Sequence, residues 1–402
     1  MSFEKGIEKT DSFKKLPLLN SQFTVINKTI YISSGNYNGL YAIDIYDGEL
    51  KLIGKFTYQG SFDTSLFLMK NYNKKLLFIP LCARELAIYD IEKKQIEETM
   101  IKYELSTYSI AMSTCVVWEE EIYLFPAKAD SIIIYNMVRQ CIKESINIAN
   151  IYTNTFREGY SALAASDSSY IYEGKVYIPC WTQPAFMSLD FNTKKIQFHT
   201  MNELEQGFCS LCGYGNYIYA LNRCGVLIKW DISSGKVLLK EKIIADRNNV
   251  EYYRAITIID EHIYLHSTMG ILRMVKTNLE LQIESEGVPQ GLLDMLKEIF
   301  VDEIVYFGCF NQDKLYCYTD KNRYLCIDML RETVEWIRDI LFDFYQVKKD
   351  IFDETKIIEK NYVFRENDAI SIEELIELTN KSQEKLVHTQ SCIGEKIYRI
   401  SL

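Results

Sequence analysis

The 402-residue chain has little of what most enzyme and membrane classes require. It contains four histidines, none in a triad or an HExxH context, and no apolar run approaches the roughly 18 residues of a membrane-spanning helix. No glycine-rich loop precedes a helix, and Cys209 and Cys212 form a CxxC without a second CxxC to complete a zinc site. These absences exclude the usual signatures of dinucleotide binding, hydrolysis and zinc chemistry. We expect no cofactor, no metal and no catalytic residue.

The sequence also lacks an excess of positive charge. Lys and Arg number 45 against 55 Asp and Glu, and the formal net charge is −10. A nucleic-acid backbone or an anionic membrane surface is therefore not expected as a partner. Residues 1–10 lack the apolar core of a signal sequence, and the eleven cysteines, an odd number, are expected to be buried free thiols in a reducing compartment. We expect a cytoplasmic protein.

Two dipeptide patterns, each on a predicted strand, repeat in tandem along the chain. The first is an apolar residue followed by Tyr or Phe, at Ile30-Tyr31, Leu77-Phe78, Ile122-Tyr123, Val176-Tyr177, Ile218-Tyr219, Ile263-Tyr264, Leu315-Tyr316 and Ile397-Tyr398. The second ends in Asp or Asn, at Ile43-Asp44, Tyr89-Asp90, Tyr135-Asn136, Leu189-Asp190, Trp230-Asp231 and Ile327-Asp328, with a degraded copy at Val275-Lys276. Successive members of the second set lie 41 to 54 residues apart. Propeller blades have a period of roughly 40–50 residues, whereas ankyrin and tetratricopeptide repeats are shorter.

Each repeat resolves into four short strands, a to d, joined by turns such as Asn27-Lys28 and Asp47-Gly48. Many b and c strands, such as residues 76–79, are apolar on both faces, which indicates strands packed between two neighbouring sheets. The sequence therefore predicts an all-β fold: a single β-propeller of four-stranded blades over residues 1–340. Seven blades are favoured, and eight remain possible.

Three stretches depart from the repeat. Residues 289–300 have the apolar spacing of a short helix that packs across a blade edge, and residues 151–172 are polar without helical period, which favours an exposed loop. Residues 341–387 interrupt the pattern with a helical insertion, in which Ser371 and Glu374 form a capping box. Residues 388–402 then return as two strands that pack on the propeller or close an eighth blade.

The repeats resemble known propeller families at the level of the fold. Residues 40–50 are similar to the quinoprotein-type repeat, residues 230–238 to that repeat or to a WD40 unit, and the layout of strands b and c resembles kelch repeats. The kelch diglycine, the Gly-His of WD40 units and the adjacent cysteines of quinoprotein alcohol dehydrogenases are absent. The resemblance therefore implies a fold class and no particular activity.

Basic and aromatic residues are expected to meet on one face of the ring. In a propeller the b–c loops and the d–a connections emerge together around the mouth of the central channel. The candidates for ligand or partner binding on these segments are Arg84, Lys128, Arg157, Trp181, Arg223, Arg254 and Arg323. Acids lie near several of them, so the charges could largely cancel. A convergent set of cations would suit a small anionic ligand or an acidic peptide.

Two functions fit these features. The first is a non-enzymatic interaction or scaffold module that binds a protein or peptide through one face of the ring. The alternative is a carbohydrate-binding or sugar-active enzyme with its site at the channel mouth, as in some kelch-like propellers. The candidate residues for that alternative are Tyr160, Trp181, Glu251 and Arg254. A catalytic site would require an acid or base in the mouth, whereas an interaction module would require an exposed apolar patch.

Overall fold

The computed structural model describes residues 22–33, 39–56, 67–80, 85–101, 112–127, 129–156, 168–243, 253, 255–267, 271–286, 290–299, 303–319, 321 and 323–340. These residues form seven four-stranded antiparallel sheets. Blade 1 contains β1 (Gln22–Ile26), β2 (Thr29–Ser33), β3 (Gly39–Asp44) and β4 (Leu50–Lys55). Blade 2 contains β5 (Phe67–Tyr72), β6 (Lys75–Pro80), β7 (Glu85–Asp90) and β8 (Gln95–Met100). Blade 3 contains β9 (Met112–Trp118), β10 (Glu121–Pro126), β11 (Ser131–Asn136) and β12 (Cys141–Asn147).

The remaining blades follow in chain order, with two short helices between them. Helix α1 (Ala149–Phe156) precedes blade 4, which contains β13 (Tyr170–Tyr172), β14 (Lys175–Pro179), β15 (Ala185–Asp190) and β16 (Ile196–Thr200). Blade 5 contains β17 (Phe208–Tyr214), β18 (Tyr217–Asn222), β19 (Val226–Asp231) and β20 (Lys236–Lys242). Blade 6 contains β21 (Ala255–Ile259), β22 (His262–His266), β23 (Met274–Asn278) and β24 (Ile283–Glu286). Helix α2 (Gln290–Ile299) precedes blade 7, which contains β25 (Val305–Asn311), β26 (Lys314–Thr319), β27 (Arg323–Asp328) and β28 (Thr333–Asp339). Neither helix has the length or the apolar run that a bilayer crossing would require.

Apolar side chains on both faces of each blade build the ring. Strands b and c are largely buried and strands d largely exposed, and strands a of neighbouring blades lie in contact, so strand a is the inner strand. Alternate residues of one strand face opposite seams: Leu77 packs with blade 3, whereas Leu76 and Phe78 pack with blade 1. Six apolar clusters formed in this way join all seven blades. The predicted all-β propeller of seven blades is confirmed.

The tyrosine of the first repeated pair lies in the seam towards the next blade. Blade 2 is the exception: Leu77 holds this position and Phe78 packs with blade 1, so the predicted pair Leu77-Phe78 was one residue out of register. The ring of Tyr123 packs edge-on against Phe191 of blade 4, with centroids 4.9 Å apart, and Tyr177 packs against Trp230 of blade 5 at 5.9 Å. A large flat side chain in this position fills the widening gap between two blades. The repeat is therefore explained by packing between blades.

The Asp or Asn of the second pair caps the turn from strand c to strand d. In blade 2 a carboxylate oxygen of Asp90 accepts the backbone N–H groups of Glu92 and Lys93 at 3.1 and 3.0 Å. Lys94 then adopts a positive φ of 56°, which returns the chain into strand d. The same cap recurs at Asp44, Asn136, Asp190, Asp231, Asn278 and Asp328. In blade 6 the capping residue is Asn278. The prediction that placed the degraded copy of the second pair at Val275-Lys276 was therefore wrong by two residues.

The two insertions that the structure describes are helical. Helix α2 lies within the predicted residues 289–300 and buries Leu292 and Leu296 against blades 6 and 7. The sulfur of Met295 accepts the N–H of Val334 at 3.3 Å, so the helix covers the outer edge of β28. The stretch 151–172, predicted to be an irregular loop, begins inside helix α1, where Tyr152 is fully buried. The predictions for residues 341–387 and 388–402 lie outside the described residues.

The ring closes through side chains between blades 7 and 1. The Phe23 ring on β1 packs edge-on against Tyr324 on β27 with centroids 5.5 Å apart, and Asn311 Nδ2 on β25 donates to the Val25 carbonyl at 2.9 Å. Each described blade is built from four consecutive strands, so closure depends on this seam.

Replacement of Gly308 by Ala should weaken this closure. A Cβ on Gly308 would lie 1.6 Å from the end of the Phe23 ring and 2.6 Å from the Tyr316 carbonyl oxygen. Because both neighbours are held in the seam, we expect the free energy of unfolding to fall by about 1–3 kcal/mol in urea denaturation. Gly291→Ala is the matched control, since no atom lies within 4 Å of that Cβ. Ala in helix α2 should stabilise by up to about 1 kcal/mol. Equal effects of the two substitutions would contradict the prediction.

Candidate functional site

The candidate site is the face of the ring where the b–c loops and d–a connections emerge, here named the upper face. Of the seven residues predicted to bind a ligand or partner, Trp181, Arg223 and Arg323 lie among the described residues. The other four, Arg84, Lys128, Arg157 and Arg254, lie outside them, as do Tyr160 and Glu251. Trp181 and Arg223 occupy the b–c loops of blades 4 and 5, and Arg323 is the first residue of strand c of blade 7.

Trp181 is held by contacts with both neighbouring segments of the upper face. The carbonyl of the preceding residue, Cys180, accepts the N–H of Phe208 on the first strand of blade 5 at 2.8 Å. The hydroxyl of the following residue, Thr182, lies 3.1 Å from the hydroxyl of Tyr152 in helix α1. The indole itself is partly buried against the apolar cluster of blades 5 and 6. The position of Trp181 is therefore fixed by packing and by its backbone neighbours.

Arg223 begins a b–c loop that one buried amide organises. The Asn222 side-chain oxygen accepts the N–H groups of Cys224 and Val226, each at 2.9 Å. The N–H of Arg223 donates to the Gly207 carbonyl at 2.9 Å, which ties the loop to the connection from blade 4. In blade 7 the Thr319 hydroxyl plays the same part as Asn222 and accepts two N–H groups of its own loop.

Trp181 and Arg223 meet across the rim. The guanidinium carbon of Arg223 lies 5.0 Å from the centroid of the Trp181 ring, within the range of a cation–π contact. Arg223 is exposed, and no carboxylate in the described part of the chain lies within 4 Å of it. The structure thus brings together two of the residues predicted for this site.

Two lysines extend the positive charge around Arg223. The Nζ atom of Lys242 donates to the carbonyl of Cys224, next to Arg223, and the Nζ atom of Lys240 donates to the carbonyl of Glu203 at 3.1 Å. Both lysines are exposed and, among the described residues, neither forms an ion pair. We name Arg223, Lys240 and Lys242 the basic corner of blade 5.

Arg323 differs from Arg223 because acids of its own blade surround it. Its Nη1 atom lies 3.2 Å from Glu303 Oε1 and its Nε atom 3.0 Å from Asp339 Oδ1. The Glu303 side chain is only 3% exposed. Two carboxylates therefore offset the charge of Arg323 within the protein, and it joins the d–a connection, strand c and strand d of blade 7.

An apolar group on the same face was not predicted from the sequence. Ile271, in the connection between strands b and c of blade 6, forms an isolated β-bridge with Tyr306 at the start of blade 7. Ile304 stands two residues before Tyr306, the spacing that places side chains on one face of a strand. Ile271 is 51% and Ile304 42% exposed. We name these three residues the apolar rim patch. Ile271 is far in sequence from Ile304 and Tyr306, and the sequence indicated only the alternation of Ile304 and Tyr306.

The buried histidine His266 is a structural residue of blade 6. Its Nε2 atom lies 2.9 Å from the hydroxyl of Thr257 and its Nδ1 atom 2.9 Å from the carbonyl oxygen of Ser267. The ring stacks on Phe307 with centroids 4.8 Å apart. Both nitrogens therefore have partners inside the seam between blades 6 and 7. Burial lowers the pKa of His266 to about 4.

Most of the described cysteines are buried and pack as small apolar side chains, whereas Cys141 is exposed. Cys209 and Cys212 both face the seam between blades 5 and 6, because a bulge between Phe208 and Ser210 shifts the register at Cys209. A regular strand would have placed them on opposite faces. Burial raises the pKa of the Cys212 thiol well above its usual range. Within the described ranges all cysteines are free, and no cluster of three potential ligands could hold a metal ion.

Comparison with solved structures supports the fold alone. The computationally designed Ika8 protein is similar with a TM-score of 0.50 and 10% identity, over 81% of this chain and 89% of that chain. BamB from Moraxella catarrhalis has a TM-score of 0.47 and 10% identity, over 73% of this chain and 79% of that chain. No protein-family model and no curated protein sequence matches this chain. The chain is a seven-bladed β-propeller by its own strand order, and its likeness to the designed Ika8 protein is one of fold alone.

The pKa of His266 predicts a pH-dependent stability. In the unfolded chain a histidine binds a proton near pH 6.5, whereas folded His266 does so only near pH 4. Between these values the unfolded state binds more protons, so stability falls as the pH is lowered. The loss from this residue should reach roughly 3 kcal/mol at pH 4.

The measurement is urea denaturation of the parent and of His266→Gln between pH 7 and pH 4. The substitution should remove this part of the pH dependence, even if it lowers stability at pH 7. His262→Gln, outside the seam, serves as the control and should keep the parental curve shape because His266 remains. Parallel curves for the parent and His266→Gln would rule the interpretation out.

Proposed function

We propose that the protein is a non-enzymatic interaction module that binds a protein or peptide through the upper face of the ring. The observation that carries this proposal is the apolar rim patch. Ile271 and Tyr306 come from two blades and are joined by a backbone bridge, and Ile271 and Ile304 are exposed beside the partly buried Tyr306, so the two blades present apolar side chains at one place on the rim. Exposed apolar patches of this kind are typical of interaction sites.

Other exposed apolar side chains are distributed differently. Tyr46, Val138 and Leu330 stand on the c–d turns of blades 1, 3 and 7, one per blade, on the opposite face of the ring. Single exposed apolar residues are ordinary on protein surfaces. Backbone N–H groups of these turns also donate hydrogen bonds to the Asp and Asn side chains that cap them. The upper face is therefore the better candidate for a partner.

The proposed setting is the cytoplasm. The free and mostly buried thiols of the described residues suit a reducing compartment. With a net charge of −10, the proposed partner is a protein or peptide and not a nucleic acid or a membrane surface.

One observation favours the alternative, a carbohydrate-binding or sugar-active protein. Glu303 is a buried carboxylate on the upper face, and a sugar-active site needs carboxylates near its substrate. However, Glu303 Oε1 already forms an ion pair with Arg323. The Trp181 ring, on which a sugar could stack, is already in contact with the Arg223 guanidinium. These contacts make the interaction module the stronger proposal.

Peptides selected for binding should depend on the apolar rim patch. A displayed random peptide library is panned against the protein, and enriched peptides are synthesised and titrated by calorimetry. Ile271→Asp and Ile304→Asp should each weaken binding at least tenfold, since central interface residues contribute about 2 kcal/mol or more. Ile283→Asp is the matched control, because Ile283 is 43% exposed on the outer strand of blade 6.

Three results would count against the proposal. The selection could yield no peptide that binds in solution, the peptides could bind Ile271→Asp as tightly as the parent, or Ile283→Asp could be equally impaired. Specific binding to an array of neutral glycans, lost in a Trp181→Ala variant that retains its unfolding midpoint, would instead support the carbohydrate alternative.

A further inference from the structure

We infer that the basic corner of blade 5 recognises carboxylates, so that the partner of the upper face is an acidic peptide segment. This inference rests on the proposed function and specifies its partner. It depends on Arg223, Lys240 and Lys242, which are separate from the residues of the apolar rim patch.

The geometry of Arg223 suits a carboxylate. A guanidinium over an indole ring is oriented by that contact, and its N–H groups point outward from the edge of its plane. Its backbone is fixed by the Gly207 carbonyl and by the loop that Asn222 organises. Little conformational freedom is then lost when a carboxylate accepts two parallel hydrogen bonds from it.

The charges of the basic corner are not used within the described part of the protein. Several other cations of the ring are paired: Lys229 lies 2.6 Å from Glu280, Lys314 2.7 Å from Asp328, and Arg323 bridges two acids. Arg223, Lys240 and Lys242 form no such pair among the described residues, although the chain as a whole is acidic. We therefore expect an anionic group of a binding partner to balance the charge of the basic corner.

The nearby acids reduce this local charge without cancelling it. Glu241 lies between the two lysines on β20, where alternation directs its side chain to the opposite face of the strand. Glu203 engages Lys240 through its backbone carbonyl, and its carboxylate lies more than 4 Å from the described cations. Glu205 follows in the same connection and likewise forms no ion pair with a described cation.

The extent of the basic corner favours a peptide over a nucleic acid. Three cations on one blade can neutralise a few carboxylates, whereas a nucleic-acid site needs a long basic track. Blade 5 is adjacent to blade 6 in the ring, and blade 6 carries the first residue of the apolar rim patch. A segment that combines acidic with apolar residues matches both features.

The test uses short synthetic peptides and fluorescence anisotropy. The probe is a labelled peptide of Glu and Leu residues, compared with a counterpart that has Gln at every Glu. The full-length protein should bind the Glu peptide more tightly, and added salt should weaken that binding. Arg223→Gln should reduce affinity about tenfold, as expected for one charge-assisted contact. Arg223→Lys should retain part of the affinity, because it keeps the charge and loses the paired geometry.

Arg139→Gln is the matched control. Arg139 is an exposed arginine in a c–d turn of blade 3, on the opposite face, and its loss should leave the affinity unchanged. The unfolding midpoints of the three variants should match that of the parent, since exposed substitutions usually change stability by less than about 0.5 kcal/mol.

Several outcomes would overturn the inference: equal binding of the Glu and Gln peptides, unchanged affinity in Arg223→Gln, or equal loss in Arg139→Gln. Tighter binding of a phosphoserine peptide or a single-stranded oligonucleotide would replace the carboxylate with a phosphate. The proposed function fails separately. If selected peptides need Ile271 but are indifferent to Arg223→Gln, the interaction module stands and the acidic partner is wrong.

Discussion

The contact between two neighbouring blades is the interaction on which the rest of this structure depends. A blade of this protein is apolar on both faces, as residues 76–79 show, so a single blade in water would expose most of its strands b and c. Each seam buries one face of each of two blades, and only a closed ring buries all of them. The stability of each blade therefore depends on the closed ring, and insertions are tolerated where they leave the contacts between blades intact.

This constraint separates the two faces of the ring. The lower face lies opposite the upper face and carries the a–b and c–d turns. Backbone hydrogen bonds join these turns, for example from the Ile45 N–H to the Lys28 carbonyl and from the Met329 N–H to the Asp313 carbonyl. The Asp and Asn caps add side-chain acceptors to the same turns. The upper face has longer and less uniform segments, including helix α1. An exposed side chain such as Arg223 can be arranged there with little effect on the seams.

The periodic parts of the fold could be read from the sequence, and the irregular parts could not. Strand endings such as Ile30-Tyr31 recur because packing and turn chemistry repeat in each blade, and repetition made the signal visible. Asn278 was missed because Thr277-Asn278 lacks the apolar residue of the other copies. Helix α1 was missed because eight residues provide little more than the spacing of Tyr152 and Phe156.

The candidate site was only partly predictable for a related reason. Ring geometry made it possible to group Trp181 with Arg223, since both follow strand b in successive blades. The ion pairs of Arg323 with Glu303 and Asp339 depend on side-chain directions that no pattern in one sequence encodes. The meeting of Ile271 and Tyr306 depends on the path of the chain between blades 6 and 7.

The seam between blades 7 and 1 has a consequence for how the ring forms. Asn311 bonds Val25 and Arg338 bonds the Ile45 carbonyl across sequence separations of 286 and 293 residues. Contacts of such separation carry a large loop-closure entropy and raise the contact order of the fold. The other seams join blades that are consecutive in the chain, so an open arc of blades can assemble first. Folding is then expected to end with closure of this seam, and in the reverse direction the ring is expected to open first between β1 and β25.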